Sequence, residues 1–324
     1  MLKDRYGRTI NYMRISVTDR CNLQCRYCMP DVSEHLPMDS LLTYEEIAFV
    51  CARAAELGID SFRITGGEPL VRKGCTALVC MLKQIPGIRR VAMTTNGILL
   101  ADHLEELLDA GLDAVNISLD TLDREQYRTI TGRDELDRVL DSVHRAAGRL
   151  PVKINCVVQQ GINEDAPARL AMLAKDLPLD VRFIELMPIG AETELATVPN
   201  TQVLAVIEKE YGKTAEDYQP RGNGPAVYRR PEAFMGRIGF ISAVHGKFCG
   251  TCNRLRLTST GELKPCLCYA ETVPLRETLR DSIGKKEERI RAKIQEAVTL
   301  KPQAHCFEHK EDVTEKRRMA EIGG

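Results

Sequence analysis

The sequence predicts an α/β protein built on a parallel sheet. Three observations carry this. Short runs rich in Val and Ile alternate with helical patterns through residue 187, and β-then-α repetition implies parallel strands joined by helical crossovers. The pattern then breaks at the Gly-, Pro- and Arg-rich stretch YQPRGNGPAVYRRP (218–231), after which the strands are shorter. Finally, the residues of unusual chemistry fall at the carboxyl ends of the strands, the face on which barrel enzymes build their sites.

In chain order, strands are predicted at 11–17, 60–65, 90–95, 114–119, 152–158 and 180–186. Helices are predicted at about 44–57, 74–85, 101–110, 135–147 and 164–176. Thr43 with Glu46 three residues on forms a capping box for the first helix, which ends at Gly58. A doubly wound open sheet and a (β/α) barrel both fit. No GxGxxG follows the first strand and no GxxxxGK[ST] occurs, so neither nucleotide fingerprint supports the open sheet. Cys21 to Cys28 follow the first strand, Gly66-Gly67-Glu68-Pro69 the second, Thr94-Thr95-Asn96-Gly97 the third, Ser118-Leu119-Asp120 the fourth and Met187-Pro188 the sixth, a placement that favours a barrel. A boundary near 190–215 divides residues 1–200 from an α+β extension, 201–324. In the extension Lys285-Lys286-Glu287-Glu288-Arg289 reads as the solvated face of a helix near 285–298.

The 324 residues carry 45 Lys+Arg against 46 Asp+Glu, a net charge of -1. Coating nucleic acid or an anionic membrane needs a net basic field, so neither is an expected partner; a bound polyanion must meet a local cluster of cations. Charges at Lys3, Asp4, Arg5 and Arg8 stand where a secretory signal would be apolar, and the expected location is the cytoplasm. There thiols stay reduced, so clustered cysteines among the 12 bind metal or do chemistry.

Cys21, Cys25 and Cys28 form C-x3-C-x2-C. Zinc or a redox thiol group are the plainer readings; an iron–sulfur cube held by three cysteines would keep one iron open to an exogenous ligand. Cys249 and Cys252 form C-x2-C, with Cys266 thirteen residues later. A zinc ribbon would need a second C-x2-C, and joint ligation by Cys266 and Cys268 would be strained, so another three-cysteine cluster is the simpler reading. Between them Asn253-Arg254-Leu255-Arg256-Leu257 alternates, which puts both guanidiniums on one strand face as a receptor for phosphate or carboxylate, unless that face is merely solvated.

The cysteine spacing, Tyr27 before the last cysteine and the Gly66-Gly67-Glu68-Pro69 turn resemble the radical S-adenosylmethionine (SAM) superfamily. That resemblance implies an incomplete (β/α) TIM-like barrel and a cluster whose open iron is chelated by the methionine moiety of SAM, with Gly66, Gly67 and Glu68 at the methionine amino group. Cleavage of SAM then yields a 5′-deoxyadenosyl radical. Over nearly the whole chain, through RxSVTDRCNLxCxYCMP (14–30), RITGGEPLVR (63–72), TTNG (94–97), NISLDTLD (116–123), RFIELMPIG (182–190), FCxxCNRLRLT and the terminal Gly323-Gly324, the sequence resembles the GTP 3′,8-cyclase family of molybdenum-cofactor biosynthesis.

The family implies two 4Fe–4S clusters, Cys21, Cys25 and Cys28 holding the SAM cluster and Cys249, Cys252 and Cys266 the auxiliary one, whose open iron binds guanine. It places Tyr27, Gly67, Ser118 and Met187 on SAM, and Arg14, Arg63, Thr94, Lys153, Arg254 and Arg256 on GTP, with the two last also catalytic. The tail enters the site, making Gly323 and Gly324 catalytic where a chain end would otherwise fray. Arg63 and Lys153 lie inside strands, where outward exposure is the plain alternative, and Arg14 reads equally as a surface residue. Implied partners are an electron donor such as flavodoxin or ferredoxin, a cyclic pyranopterin monophosphate synthase that takes the product, and a second copy in a homodimer. Two competitors remain at this point: a radical SAM enzyme acting on a peptide or another nucleotide, and a zinc-stabilised interaction module. Cys51, Cys75, Cys80, Cys156, Cys268 and Cys306 read as core or surface thiols.

Overall fold

The computed structural model describes residues 1–29, 35–190, 196–219 and 221–323. Six strands form where the Val- and Ile-rich runs predict them: β1 (Tyr12–Ser16), β2 (Ser61–Thr65), β3 (Arg90–Thr95), β4 (Ala114–Ser118), β5 (Val152–Val158) and β6 (Leu179–Glu185). Between them run α1 (Tyr44–Glu56), α2 (Cys75–Lys83), α3 (Leu100–Asp109), α4 (Arg124–Thr131), α5 (Leu136–Ala146) and α6 (Ala166–Asp176). The capping box on α1 is made: Glu46 N–H donates to Thr43 Oγ1 (3.1 Å) and Thr43 N–H to Glu46 Oε2 (2.7 Å).

Three of the described helices escaped the sequence pattern, one of them the five-residue Arg276–Arg280. The short helix α4 is stabilised at its start by Asp123, which accepts from Gln126 N–H (2.9 Å), and it stops at Gly132 with φ 70°. The segment α7 (Asn200–Tyr211) falls where the sequence reads as a boundary. The remaining elements are β7 (Ala215–Asp217), β8 (Val227–Arg230), β9 (Ile238–Ile241), β10 (Arg254–Leu257), β11 (Glu262–Lys264), β12 (Val273–Pro274), α8 (Arg276–Arg280) and α9 (Lys286–Thr299).

All strands join one sheet in the order β12-β11-β10-β1-β2-β3-β4-β5-β6-β9-β8-β7, which does not close on itself. From β10 to β9 the pairing is parallel throughout, so strands from beyond residue 230 flank the six-stranded unit on both sides. The register gives the sheet two opposite faces. Leu255, Met13, Phe62 and Val91 lie side by side, as do Leu257, Ile15, Ile64, Met93, Val115, Val152 and Leu179, and all are buried in the main apolar core. Burying each large member contributes roughly 1.5–3 kcal/mol. One step out of phase the residues are Tyr12, Arg14, Arg63, Thr94, Asn116, Lys153, Asn155, Arg182, Arg254 and Arg256. Parallel sheets are usually apolar on both faces, so a polar inner face marks a lumen built to hold something polar. Among the described residues no helix is long and apolar enough to cross a membrane.

Candidate active site

The loop bearing Cys21, Cys25 and Cys28 leaves the carboxyl end of β1 zipped against the segment leaving β2. Gly67 N–H donates to Thr18 O and Glu68 N–H to Arg20 O, each at 2.8 Å. The approach is too close for side chains: a Cβ on Gly66 would lie 2.7 Å from the Thr18 carbonyl, and one on Gly67 would run into that of Arg20. Glycine is thus dictated by backbone meeting backbone. The loop is also tied to the end of α4, through Gln24 N–H to Thr131 O (2.9 Å) and Arg26 N–H to Ile130 O (3.0 Å).

Glu68 is buried and accepts from Thr95 Oγ1 (2.8 Å), Asn96 N–H (2.7 Å) and Leu70 N–H (3.1 Å); burial still pushes its carboxyl up to about 7. Tyr27 donates to Asp120 Oδ2 (2.9 Å), whose carboxyl burial raises to about 6, while Ser118 ends β4 just before it. Burial pushes Cys21 to about 11 and Cys28 to about 12, and it raises Cys25 as well, with Cys28, Asp120 and Cys21 adding to the effect.

The second triad is assembled from separate segments. Cys249 and Cys252 bracket the turn before β10, and Cys266 follows β11. All three line one cavity with Arg14, Arg63, Lys153, Met187, Arg254 and Arg256. Lys301 supports them from beneath, donating to Arg254 O (2.7 Å) and Pro265 O (2.8 Å) and standing 3.7 Å from Cys252 Sγ. Burial opposes ionisation of Cys252, but Lys301 and Arg254 outweigh it and lower the thiol. Because β10 runs parallel to β1, a triad entering β10 and a triad leaving β1 lie at opposite ends of the barrel. At about 3.3 Å per residue, a five-residue strand such as β1 separates them by about 17 Å.

Between the ends stand the cations. Pairing register, which sequence alone does not give, turns Arg63 and Lys153 inward rather than to solvent, and Arg14 lines the cavity. Arg63 Nε donates to Tyr12 Oη (2.7 Å), and its Nη1 reaches Met93 O (3.2 Å) and Thr94 Oγ1 (3.5 Å). Burial resists ionisation of Tyr12, yet Arg63, Arg14 and Arg254 together bring it down to about 8. Lys153 donates to Arg221 O and to Tyr228 Oη (3.1 Å); burial and Arg182 lower its ammonium to about 7. Arg254 stacks 5.3 Å from the Phe248 ring centroid. Sequence reasoning missed Tyr12, Arg90, Arg182 and Arg221, which also line this cavity. Tyr12 shares the two-residue phase of Arg14 and could have been found by it.

The tail reaches the inner face. Arg256 Nη1 donates to Gly323 O, and Gly323 adopts φ 73° where a Cβ would lie 3.3 Å from Ser16 Cβ. Ile322 is buried in a second small core with Ile189, Cys268, Phe307 and Val313. Gly324 and Pro30 lie outside the described residues. Cys268 and Cys306, unrelated by sequence spacing, bring their sulfurs to 3.2 Å.

Each triad offers three thiols, the donor set of a cube with one open iron. Among the described residues no group of three His, Cys, Asp or Glu is gathered as a single-ion site.

Residues 15–174 match the Radical SAM superfamily model and 179–307 the Molybdenum Cofactor Synthesis C model. A GTP 3′,8-cyclase of Clostridium perfringens (strain 13 / Type A) is 44% identical over 325 residues, covering 100% of both chains. One of Pelotomaculum thermopropionicum is 45% identical over 329 residues, again covering 100% of both. Among solved structures, Streptococcus suis SuiB bound to S-adenosylmethionine superposes with a TM-score of 0.64 at 15% identity, covering 88% of this chain and 68% of that one. Native anSMEcpe with bound AdoMet gives 0.55 at 17%, covering 85% and 79%; both likenesses speak for the fold alone. The chain belongs to the radical SAM superfamily and, within it, to the GTP 3′,8-cyclase family.

Proposed function

We propose that this enzyme converts GTP to (8S)-3′,8-cyclo-7,8-dihydroguanosine 5′-triphosphate, the first step of molybdenum-cofactor biosynthesis. The observation that carries the reading is a cavity lined by cations and by the second cysteine triad, with the first triad beyond the opposite, carboxyl end of β1. Membership of the superfamily implies a 4Fe–4S cluster and SAM; a second cluster at Cys249, Cys252 and Cys266 is part of the proposal. When bound at Cys21, Cys25 and Cys28, cluster and SAM supply the radical chemistry that removes the ribose 3′ hydrogen of GTP. C3′ of the substrate then bonds to C8, and the base radical is reduced by one electron and one proton.

This chain's residues position and shield. Tyr27, the Gly66-Gly67-Glu68 turn, Ser118 and Met187 would hold SAM. Arg14, Arg63, Thr94, Lys153, Arg254 and Arg256 would hold GTP, the cations on its triphosphate and the second triad's open iron on guanine. Gly323 and Gly324 would close the space where the reactants meet; support comes from the Gly323 contact with Arg256 beside Ser16. Packing that excludes water and holds the C3′–H bond within reach is the main catalytic demand. Residues 1–200 would thus serve SAM, and 201–324 the auxiliary cluster and tail. A flavodoxin- or ferredoxin-like donor would supply electrons, and a cyclic pyranopterin monophosphate synthase would consume the product.

The test is anaerobic reconstitution followed by addition of SAM, reductant and GTP. The expected result is about eight irons per chain, 5′-deoxyadenosine and a cyclised guanosine triphosphate. Cleavage of SAM with GTP left intact would sink the substrate assignment.

A further inference from the structure

The segment leading to the tail is held by a buried charge pair that no part of the cyclisation chemistry uses. Lys264, the last residue of β11, and Glu315 pair at side-chain exposures of 0% and 2%. Lys264 also donates to Tyr269 O (2.8 Å). Glu315 accepts from Arg317 N–H (2.8 Å) and Arg317 Nε (3.1 Å), and Arg317 in turn pairs with Glu262 at the start of β11. Lys264 lies directly opposite Arg256 in the antiparallel pairing of β10 and β11, so the two cations project from one face. Arg256 holds Gly323; Lys264 holds Glu315, eight positions earlier.

We infer that Lys264 and Glu315 are positioning residues that set the register of the C-terminal tail in the barrel, an inference that rests on the tail reading proposed above. The physical reason is the cost of a slip. Moving the segment by one residue would part a buried ammonium from its buried carboxylate, leaving Lys264 the Tyr269 carbonyl and Glu315 only Arg317 of its own segment, whereas apolar contacts such as Ile322 in the small core tolerate sliding. Paired neighbours on β10 and β11 thus fix the tail at two points, and the residues between them have one length of path to fill.

The test follows the chain end itself. Holoenzyme carrying Glu315→Gln, Lys264→Met or the double replacement Lys264→Met/Glu315→Leu is treated with a carboxypeptidase, and amide exchange is followed over 316–323. Each single variant should lose its terminal glycines at least tenfold faster than the parent, with exchange in β1 to β6 unchanged and Lys264→Arg retaining protection. If the singles do not fold, the double variant decides, because an apolar pair of similar volume keeps packing but carries no ionic register. Parental protection in any folded variant that lacks the pair overturns the inference. The tail reading fails separately: removal of Gly323 and Gly324 with full cyclisation would refute it while leaving the protection result standing.

Discussion

At the carboxyl end of the barrel, Cys21, Cys25 and Cys28 come from one loop and sit beside the carboxyls of Glu68 and Asp120. At the amino end, Cys249, Cys252 and Cys266 come from two segments and sit beside Lys301, Arg254 and Arg8. Burial opposes ionisation of Cys21, Cys25, Cys28, Cys249 and Cys252 alike, and the contrast lies at Cys252, where neighbouring cations outweigh it. The first end raises its thiols and is bonded tightly by backbone, while the second lowers Cys252 and extends its positive field up the lumen through Arg256, Arg14 and Lys153. On the proposed reading the same three-thiol donor set would serve two tasks: one end would be a rigid seat, the other a receptor for an anionic substrate.

Removing one thiol from each end should break the comparison most sharply. Cys25→Ala should leave about four irons, held by the second triad, and abolish formation of 5′-deoxyadenosine. Cys252→Ala should also leave about four irons, yet retain SAM cleavage and lose the cyclised product. Iron analysis with product chromatography decides; a Cys25→Ala protein that still cleaves SAM would mean the two ends have been assigned the wrong way round.

A smaller effect tests rigidity. Gly67 abuts the Arg20 carbonyl, whereas a Cβ on Gly250, within the second triad's turn, meets nothing within 4 Å. Gly67→Ala should lower stability by about 1–3 kcal/mol through overpacking. Gly250→Ala, far from any obstruction, should stay within about 0.5 kcal/mol of the parent. Thermal melts of the two proteins measure the difference, and equal melts would remove the claim that the first loop is seated by backbone contact.

The two ends also differ in how far sequence reveals them. Three cysteines within one loop, followed by a Gly-Gly turn, announce the first end, because its ligands are neighbours in the chain. The second shows its cysteines but hides its support: Lys301 lies 49 residues from Cys252 and has no spacing that links them. The direction in which Arg63 and Lys153 face depends on strand pairing, so the residue types were visible and their side of the sheet was not. The parallel sheet was legible from its periodicity, whereas the contribution of β9 and β10 to it needed long-range contacts. Lys264 and Glu315, 51 residues apart, carry no motif at all.

The positive field of the amino end is itself dependent on pH, which gives the finest test. Lys153 titrates near 7 because burial and Arg182 disfavour its charged form, and Tyr12 near 8 because Arg63, Arg14 and Arg254 overcome its burial. A folded value below the ordinary one means that the unfolded chain binds more protons above pH 7, so the ligand-free protein gains stability from Lys153 as pH rises toward the usual lysine range. A triphosphate reverses the preference: it favours the ammonium of Lys153 and the neutral phenol of Tyr12, and binding must take up protons. GTP affinity should therefore fall as pH rises from about 7 to 9, by at most about tenfold per unit for each proton taken up. The fall should steepen above about pH 8 as Tyr12 joins it. Titration calorimetry in buffers of different ionisation enthalpy reads the uptake directly. Lys153→Met should flatten the lower part of the profile and Tyr12→Phe the upper part, while proton-independent binding by the parent enzyme would take Lys153 and Tyr12 out of the substrate's reach.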